Sequence, residues 1–442
     1  VLALTLDMSA AGAATFNDKI TAVGTSVFTN LDISGDVDVD GTLETDNLTV
    51  GGAQGTDGQV LTSTGSGVGW EDAAGGVTFK AFGTSSIMVG DDATGTISAA
   101  NYNTGLGVDV FAALTSGDNN VAVGYNAGAG ITTGTLNTFI GGLAGDATTT
   151  ASDNTGVGAA SMGGNTTGTR NTALGSDSLK VSTTGNDNTA IGKGSLAANT
   201  TASNNTAVGK NSLTANTTGA QNTAVGQGAG ESNTTGVSLV ALGRQALEAN
   251  TEGDFNTALG QRALFKNTTS DNNTAVGNQA LGENTTGARN TAVGADALDA
   301  NTTANNNTAV GRSSLGANTT GTFNTASGRQ ALLSNTTGDN NVAVGGNALY
   351  QNTTADDNTA VGAYSLDANT TGNSNVAVGT SSLSANTVGD RSVAVGYNAL
   401  LVQNPDSNVD MYNVAVGYAA GAAVTTGTNN TLIGGLAGDA IT

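Results

Sequence analysis

The sequence predicts an all-β protein, a parallel β-solenoid or β-roll built from 17-residue coils over residues 85–442. Glycine recurs every 17 residues from Gly90 to Gly396, and after one step of 21 residues the spacing resumes from Gly417 to Gly434. An aliphatic residue precedes nearly every one of these 21 marker glycines. Most units also carry further glycines or an Asn-Thr-Thr run, which suit tight turns and disfavour helices. A short fixed period indicates about 21 stacked units, none of which buries its apolar face alone.

We number each unit so that the marker glycine is position 5, which places Asn-Thr-Ala-Val-Gly at positions 1–5. Positions 1–4 are predicted to form one strand and positions 8–11 a second strand. Turns are expected at the marker glycine and at the Asn-Thr-Thr-Gly of positions 12–15. Stacked Asn and Thr side chains should form hydrogen-bonded ladders along the solenoid.

Strand alternation places positions 3 and 4 on opposite faces. Position 4 is aliphatic in 20 of 21 units, with Ser327 as the exception, so we expect it inside, together with the frequent leucine of position 9. Ser327 should then weaken its coil. The predicted core residues are Val208, Leu213, Val276, Leu281, Val310 and Leu315.

On this reading, the alanine of position 3 faces outward over fourteen consecutive coils. Such a column fits close approach of another backbone, and we predict an oligomer interface; the alternative is a tight bend without room for a side chain. The predicted interface residues are Ala173, Ala190, Ala207, Ala224, Ala241, Ala258, Ala275, Ala292, Ala309, Ala326, Ala343, Ala360, Ala377 and Ala394.

The first 84 residues do not follow the repeat. Residues 1–52 are predicted as a β-rich fibre segment, because apolar and acidic residues alternate over residues 31–50 between glycine turns. Residues 53–84 are predicted as short strands in a small collar or connector. Because the chain opens on Val1 and ends inside a coil at Thr442, we expect the natural polypeptide to continue.

Composition excludes several classes of function. There is no histidine or cysteine, so Ser-His-Asp triads, Cys-His pairs and Cys/His zinc sites are impossible. The net charge of −22 and the absence of a basic cluster argue against nucleic-acid binding. No apolar run is long enough to span a bilayer, and no signal peptide is present. The strict period argues against disorder, and the glycine spacing excludes collagen.

No catalytic, cofactor-binding or metal-binding residue can be singled out. The stretch from Asp36 to Gly41 resembles the start of a calcium loop, but Asn47 stands where the closing carboxylate is expected. A strand with an acidic outer face is the simpler interpretation, with a cation site as the alternative. The Asn-Thr-Thr runs match the glycosylation sequon, although the turn explains them.

The unit Asn341-Val342-Ala343-Val344-Gly345 resembles the head repeats of trimeric autotransporter adhesins. Residues 4–12, 36–52 and 58–65 are similar to tail-fibre segments of marine tailed bacteriophages. The first resemblance implies a left-handed β-roll, and both imply a homotrimer. Together they imply a tail fibre that is extracellular and located at the virion tail. Its implied partners are other copies of the chain, tail proteins at the N-terminal side and an unknown host receptor. A bacterial surface adhesin is the main alternative. An ice- or crystal-binding solenoid and a lyase or depolymerase are weaker ones. We expect no enzyme activity, cofactor, nucleic acid or membrane insertion.

Overall fold

The computed structural model describes residues 49–50, 53–54, 59–63, 68–72, 79–82, 86–89 and 99–441. The chain divides into two compact units, Val1–Gly76 and Val77–Thr442. In the first unit, β1 (Thr49–Val50) pairs with β2 (Ala53–Gln54) and β3 (Gln59–Ser63) pairs with β4 (Val68–Asp72), both antiparallel. β1 lies in the predicted segment 1–52, and β2, β3 and β4 lie in the predicted collar 53–84. Most of the predicted segment 1–52 lies outside the described residues, and the boundaries at 52/53 and 84/85 stay predictions.

In the second unit, β5 (Phe79–Phe82) pairs antiparallel with β6 (Ser86–Val89), and β6 begins a long parallel sheet. The strands that continue the sheet are β7 (Thr104–Leu106), β8 (Val121–Val123), β9 (Thr138–Ile140), β10 (Thr155–Val157), β11 (Thr172–Leu174), β12 (Thr189–Ile191), β13 (Thr206–Val208), β14 (Thr223–Val225), β15 (Val240–Leu242), β16 (Thr257–Leu259), β17 (Thr274–Val276), β18 (Thr291–Val293), β19 (Thr308–Val310), β20 (Thr325–Ser327), β21 (Val342–Val344), β22 (Thr359–Val361), β23 (Val376–Val378), β24 (Val393–Val395), β25 (Val414–Val416) and β26 (Thr431–Ile433).

The predicted parallel solenoid is confirmed, with about 20 coils of about 17 residues. Each of these strands pairs with its equivalent one coil away, and Ala275 lies opposite Ala292. The marker glycines stack closely, because a Cβ added to Gly260 would lie 2.3 Å from the carbonyl oxygen of Gly277. Hydrogen bonds link neighbouring coils on the other sides too, as between Leu281 N–H and the Ala297 carbonyl (2.9 Å). The backbone conformation of each coil is therefore fixed by its hydrogen bonds to the neighbouring coil.

The predicted second strand at positions 8–11 is wrong. Positions 6–11 form successive turns, in which the N–H of position 8 bonds back to the carbonyl of position 5. Positions 7 and 9 adopt left-handed backbone angles, with φ of 57° at Asp296 and 51° at Leu298. Leucine disfavours this conformation intrinsically, so propensity gave no warning of it. The buried side chain and the inter-coil hydrogen bonds of position 9 offset that cost.

The predicted facing of positions 3 and 4 is also wrong. The alanines predicted as an interface, Ala173 to Ala394, are all inside, with exposed fractions of 0–1%. Val208 and Val276 are only half-buried, and Val310 is 40% exposed, so the predicted core valines point outward. Leu213, Leu281 and Leu315 are buried as predicted. The narrow interior explains the alanines, since one leucine per coil nearly fills it from the opposite side.

Ser327 lies at a half-buried outward position and has no aliphatic core site to fill. The expectation that it weakens the core of its coil is therefore wrong. A typical coil instead buries five side chains completely at positions 1, 3, 8, 9 and 12. In one coil these are Asn290, Ala292, Ala297, Leu298 and Asn301.

Interior volume is conserved when residue sizes change. Phe139 replaces the alanine of position 3 and is fully buried, and its coil has Gly145 in place of the leucine of position 9. A Cβ on Gly145 would lie 2.5 Å from the Phe139 ring, and one on Gly156, at position 3 of the next coil, 2.9 Å from it. The large ring therefore occupies space that a leucine and a methyl group fill in other coils.

The two asparagines of the coil interior form the predicted ladders. At position 1, Asn290 accepts the backbone N–H of Asn307 (3.0 Å) and donates its amide to the Ala304 carbonyl (2.8 Å). At position 12, the Asn301 amide donates to the Asn284 side chain (2.8 Å) and to the same carbonyl (3.2 Å). Because buried amides cost free energy when unpaired, these ladders penalise any shift of one coil against the next.

The position-12 ladder has a break at Ser182, which stands between Asn165 and Asn199. The serine hydroxyl is too short to reach either neighbour. Among the described residues, the buried Asn165 Oδ1 and Ser182 Oγ are left without a hydrogen-bond partner. The break therefore leaves one unsatisfied polar atom in each of two adjacent coils, and a longer amide in place of Ser182 could pair them.

Candidate functional site: the outward face of the long sheet

The main surface feature of the solenoid is the outward side of β7–β26, which we call the outer sheet face. It consists of the first and third residues of each strand, repeat positions 2 and 4. The middle residue of each strand points inward and is buried in all of them except β26. Position 4 is exposed in about half of the strands, as at Leu174 (40%) and Val344 (38%), and half-buried in the others, as at Val276. An aliphatic stripe thus runs the length of the sheet.

The outer sheet face carries no charge. Every first residue of β7–β26 is threonine or valine, and every third residue is valine, leucine or isoleucine except Ser327. Yet the whole chain contains 48 Asp, Glu, Lys and Arg residues, 35 acidic and 13 basic. The charged side chains of the solenoid are therefore confined to its other sides and to the margins of this face.

Exposed aromatic rings concentrate at the two margins of the face. Position 17, before the strand, carries Tyr102, Phe255, Phe323 and Tyr412, and position 6, after the marker glycine, carries Tyr125, Tyr397 and Tyr418. Exposed fractions reach 60% at Phe323 and Tyr418. Aromatic residues beside an apolar, uncharged centre are typical of protein interfaces.

The coil with the four-residue insertion gathers several of these rings. Tyr397 and Tyr418 stack with ring centroids 5.5 Å apart. On the opposite margin, Arg391 forms an ion pair with Asp410 and donates a hydrogen bond to the Tyr412 hydroxyl at 3.3 Å. The strands between these margins remain apolar, so the outer sheet face continues past the insertion.

Carboxylates with a raised pKa lie on a different side of the coil, at position 10. Burial raises the pKa of Asp146, Glu248 and Asp299. The carboxylate of Glu231 raises that of Glu248 further, and Asp296 and Glu283 raise that of Asp299. These groups destabilise the folded coil when charged. They do not converge with any group of the outer sheet face.

The remaining motifs of the sequence give no site. The position-12 asparagines of the sequons are buried and hydrogen-bonded, as Asn284 shows with its amide on Asn267 and Gly287. The calcium-like stretch from Asp36 to Gly41 lies outside the described residues. Within the part of the chain that is described, no three acidic, histidine or cysteine side chains group as metal ligands, and no pocket is found.

The same described part contains no helix with the length and hydrophobicity needed to cross a bilayer. Sequence reasoning located the aliphatic column of position 4 but placed it inside. The signal that could have shown its direction is the Phe139–Gly145 exchange, which pairs position 3 with the interior leucine site.

Comparisons with known proteins add no assignment. No protein-family model, no curated protein and no solved structure matches this chain. The solenoid and its outer sheet face are therefore the features of the chain that bear on its function.

Proposed function

We propose that the chain is a structural fibre protein that associates with copies of itself through the outer sheet face. We further propose that it is a bacteriophage tail fibre that attaches to a host surface by multivalent contact. The observation that carries the assembly is that outward position 4 is aliphatic in every strand of β7–β26 except β20, where it is Ser327. The phage assignment draws on the resemblance of residues 4–12, 36–52 and 58–65 to tail-fibre segments. A virion-tail, extracellular location and a homotrimer belong to the same proposal.

Strand propensity alone does not account for the aliphatic column. Threonine, valine and isoleucine all favour strands because they are β-branched. Position 2, also outward, accepts threonine in most coils, whereas position 4 never carries threonine in β7–β26 and includes Leu174 and Leu242, which are not β-branched. A selection for hydrophobicity at position 4, beyond strand formation, is what a covered face requires.

The area of the face fits a stable interface. Fully burying a valine or leucine side chain stabilises by about 1.5–3 kcal/mol, at roughly 25 cal/mol per Å². With about 40% of that area exposed in the more open coils, position 4 offers at most roughly 25–50 Å² per coil, or up to about 500–1,000 Å² over about 20 coils. A standard interface buries about 800 Å² per partner, and an ordinary monomer surface patch is about 300–600 Å².

The chemistry of the face supports binding over catalysis. Its side chains are aliphatic or hydroxylic, and the sequence supplies no histidine or cysteine as general base or nucleophile. The repeat instead presents the same surface at every level. Such a repeated surface suits contacts that are individually weak and collectively strong.

The assembly is tested by replacing two outward residues of adjacent coils, Val225→Asp with Leu242→Asp. Light scattering coupled to size-exclusion chromatography should give a multiple of 42.9 kDa for the unmodified chain, three-fold for a trimer. The double variant should shift to the monomer, because two carboxylates per chain would lose water at the interface. A matched control, Thr218→Asp with Thr235→Asp, adds the same charge at exposed position 14 and should assemble normally.

An unmodified chain of 42.9 kDa would refute the self-association. Circular dichroism and hydrogen exchange must show that both double variants keep their folded coils. Attachment is tested separately by immunogold imaging of virions and of bacterial cells. Label on the tail supports the fibre, and label confined to a cell surface would replace it by the adhesin.

A further inference from the structure

The amide ladder of position 12 is continuous over most of the solenoid and fails in one stretch. From Asn199 to Gln403, the side chain of each coil donates its amide to the side-chain oxygen of the preceding coil. Before Asn199, the column consists of Ile131, Thr148, Asn165 and Ser182. These four side chains are fully or almost fully buried. The interior of this stretch therefore holds polar groups that are not joined into a ladder.

Buried oxygen atoms without a partner collect in this stretch. In the described part of the chain, five buried side-chain oxygens have no hydrogen bond to the protein, and three of them belong to consecutive members of this column. The three are Thr148 Oγ1, Asn165 Oδ1 and Ser182 Oγ. Nearly all buried polar groups of folded proteins are paired with protein or with ordered water. Their position in one column indicates that one kind of small ligand serves all three.

The coils do not close up around the shorter side chains. Beside the break, the Thr166 N–H bonds to the Thr183 carbonyl at 3.0 Å, and beside an intact rung the Thr285 N–H bonds to the Thr302 carbonyl at 2.9 Å. Serine lacks the carboxamide of asparagine, which is larger than a hydroxyl group by about one water molecule. At unchanged coil spacing, the place of that carboxamide remains beside Ser182.

An intact coil shows which groups the position-12 amide contacts. The Asn301 amide donates to the side-chain oxygen of Asn284 in the preceding coil (2.8 Å) and to the carbonyl of Ala304 in its own coil (3.2 Å). A ligand that replaces the amide must therefore donate in two directions.

The equivalent acceptors are present at the break. Asn165 Oδ1 has no partner in the protein. The Gly185 carbonyl accepts the Asn171 amide at 2.8 Å and has a second lone pair. Together with the Ser182 hydroxyl, these groups give a small ligand about three hydrogen bonds, which is the usual number for a buried water.

We infer that the broken stretch of the position-12 column binds ordered internal water. One water beside Ser182 donates to Asn165 Oδ1 and to the Gly185 carbonyl and accepts the serine hydroxyl. A second water, beside Thr148, bonds to the threonine hydroxyl and accepts the N–H of the Asn165 amide that is not used by the Gly168 carbonyl. The waters thus carry the ladder across the two short side chains. The inference concerns a single chain and does not depend on self-association.

Water fits these groups better than a cation does. The four side chains of the stretch are neutral and buried. A cation would bring a charge into this interior without a counter-charge, which is costly. Water is neutral, donates and accepts, and gives bridging hydrogen bonds nearly as favourable as direct ones.

The direction of the effect of Ser182→Ala tests the water beside Ser182. If water is bound, the variant removes one of its partners, and the opening constant from hydrogen exchange of residues 165–187 should rise roughly three- to tenfold. If the site is dry, the variant removes an unpaired buried hydroxyl, and the opening constant should fall. The control is Ser195→Ala in the next coil, whose hydroxyl bonds directly to the Gly192 carbonyl at position 5. An opening constant that stays the same or falls in Ser182→Ala would overturn the inference.

Oxygen-17 relaxation dispersion of the solvent tests both waters, because it detects long-lived internal water in the full chain. Ser182→Asn should remove the signal of one water per chain, and Thr148→Asn combined with Ser182→Asn should remove that of both. Ser195→Ala should leave the signal unchanged. The inference fails if the double variant gives the same signal as the unmodified chain. It also fails if the unmodified chain, but not the double variant, is stabilised by Na⁺ relative to K⁺ at equal ionic strength, since the ligand would then be a cation.

Discussion

Most coils have alanine at position 3 and leucine at position 9, but one coil has Phe139 and Gly145 there. Replacing Phe139 and Gly145 by alanine and leucine should show that positions 3 and 9 share one interior volume. Phe139 is fully buried, and Gly145 and Gly156 leave room for its ring. Phe139→Ala alone should cost about 3–5 kcal/mol, because the ring leaves a cavity. Gly145→Leu alone should cost at least about 1–3 kcal/mol, because its Cβ would start 2.5 Å from the ring.

The double variant, Phe139→Ala with Gly145→Leu, recreates the Ala-Leu pair of the ordinary coils. Gly145 has a φ of 59°, close to the 51° of Leu298, so leucine already occupies this backbone conformation elsewhere in the chain. The remaining cost is a missing methyl at Gly156 and the left-handed leucine, together about 1–3 kcal/mol. Since the single costs sum to roughly 4–8 kcal/mol, the coupling should be about 3–5 kcal/mol.

Stability in a repeat array is partly local, so the two single variants and the double variant should be compared by a local measurement as well as by denaturant unfolding. Hydrogen exchange of peptides covering residues 136–165 should show faster opening in both single variants and near-normal protection in the double variant. Adding Gly156→Ala should restore protection further. If the double variant loses as much as the two single variants combined, the ring and the leucine do not compete for the same space.

Two further predictions concern polar groups. Ser182→Asn should close the broken amide ladder and stabilise by about 1–2 kcal/mol, whereas Asn284→Ser should open an equivalent break and destabilise by about 1–3 kcal/mol, both read from denaturant unfolding. Burial holds the pKa of Asp299 above the ordinary value, so stability is lost as pH rises through that raised pKa. Asp299→Asn should therefore melt at a higher temperature near pH 7 and match the unmodified chain below about pH 3.8; a lower melting temperature at pH 7 would contradict the sign.

The repeat itself could be predicted from the sequence because a constant glycine spacing leaves few alternatives to a stack of equal coils. Gly260 and Gly277 stack at backbone contact, and the glycine of position 5 has a φ near 135°, as at Gly243, which other residues rarely adopt. The strand before it followed from β-branched residues at Thr274 and Val276. The ladders followed from the recurrence of asparagine at positions 1 and 12 of most coils. These features depend on local chemistry that the sequence states directly.

The facing of the strand was not readable by the rule that the larger aliphatic residue goes inside. That rule fails where the interior is too narrow for two large side chains, and here Ala292 at position 3 and Leu298 at position 9 are the residues that are fully buried. The turn at positions 6–11 was missed because it places leucine in a left-handed conformation. Tertiary hydrogen bonding, as between Leu298 N–H and the Ser314 carbonyl at 3.0 Å, overrides the local preference.

Because alanine rather than the position-4 residue faces inward, one coil can form the core of a single chain and also present an aliphatic side chain on its surface. The core is complete with the alanines, leucine and asparagines of the coil, so the position-4 side chain is not needed for the fold of a single chain. Its remaining exposed area offers only about 0.6–1.2 kcal/mol per coil on burial, too little to hold two chains together against the roughly 4–15 kcal/mol lost on association. Several coils must therefore act together before association becomes favourable. In the proposed assembly, every added coil repeats the same contact, so the length of the array sets the strength of association.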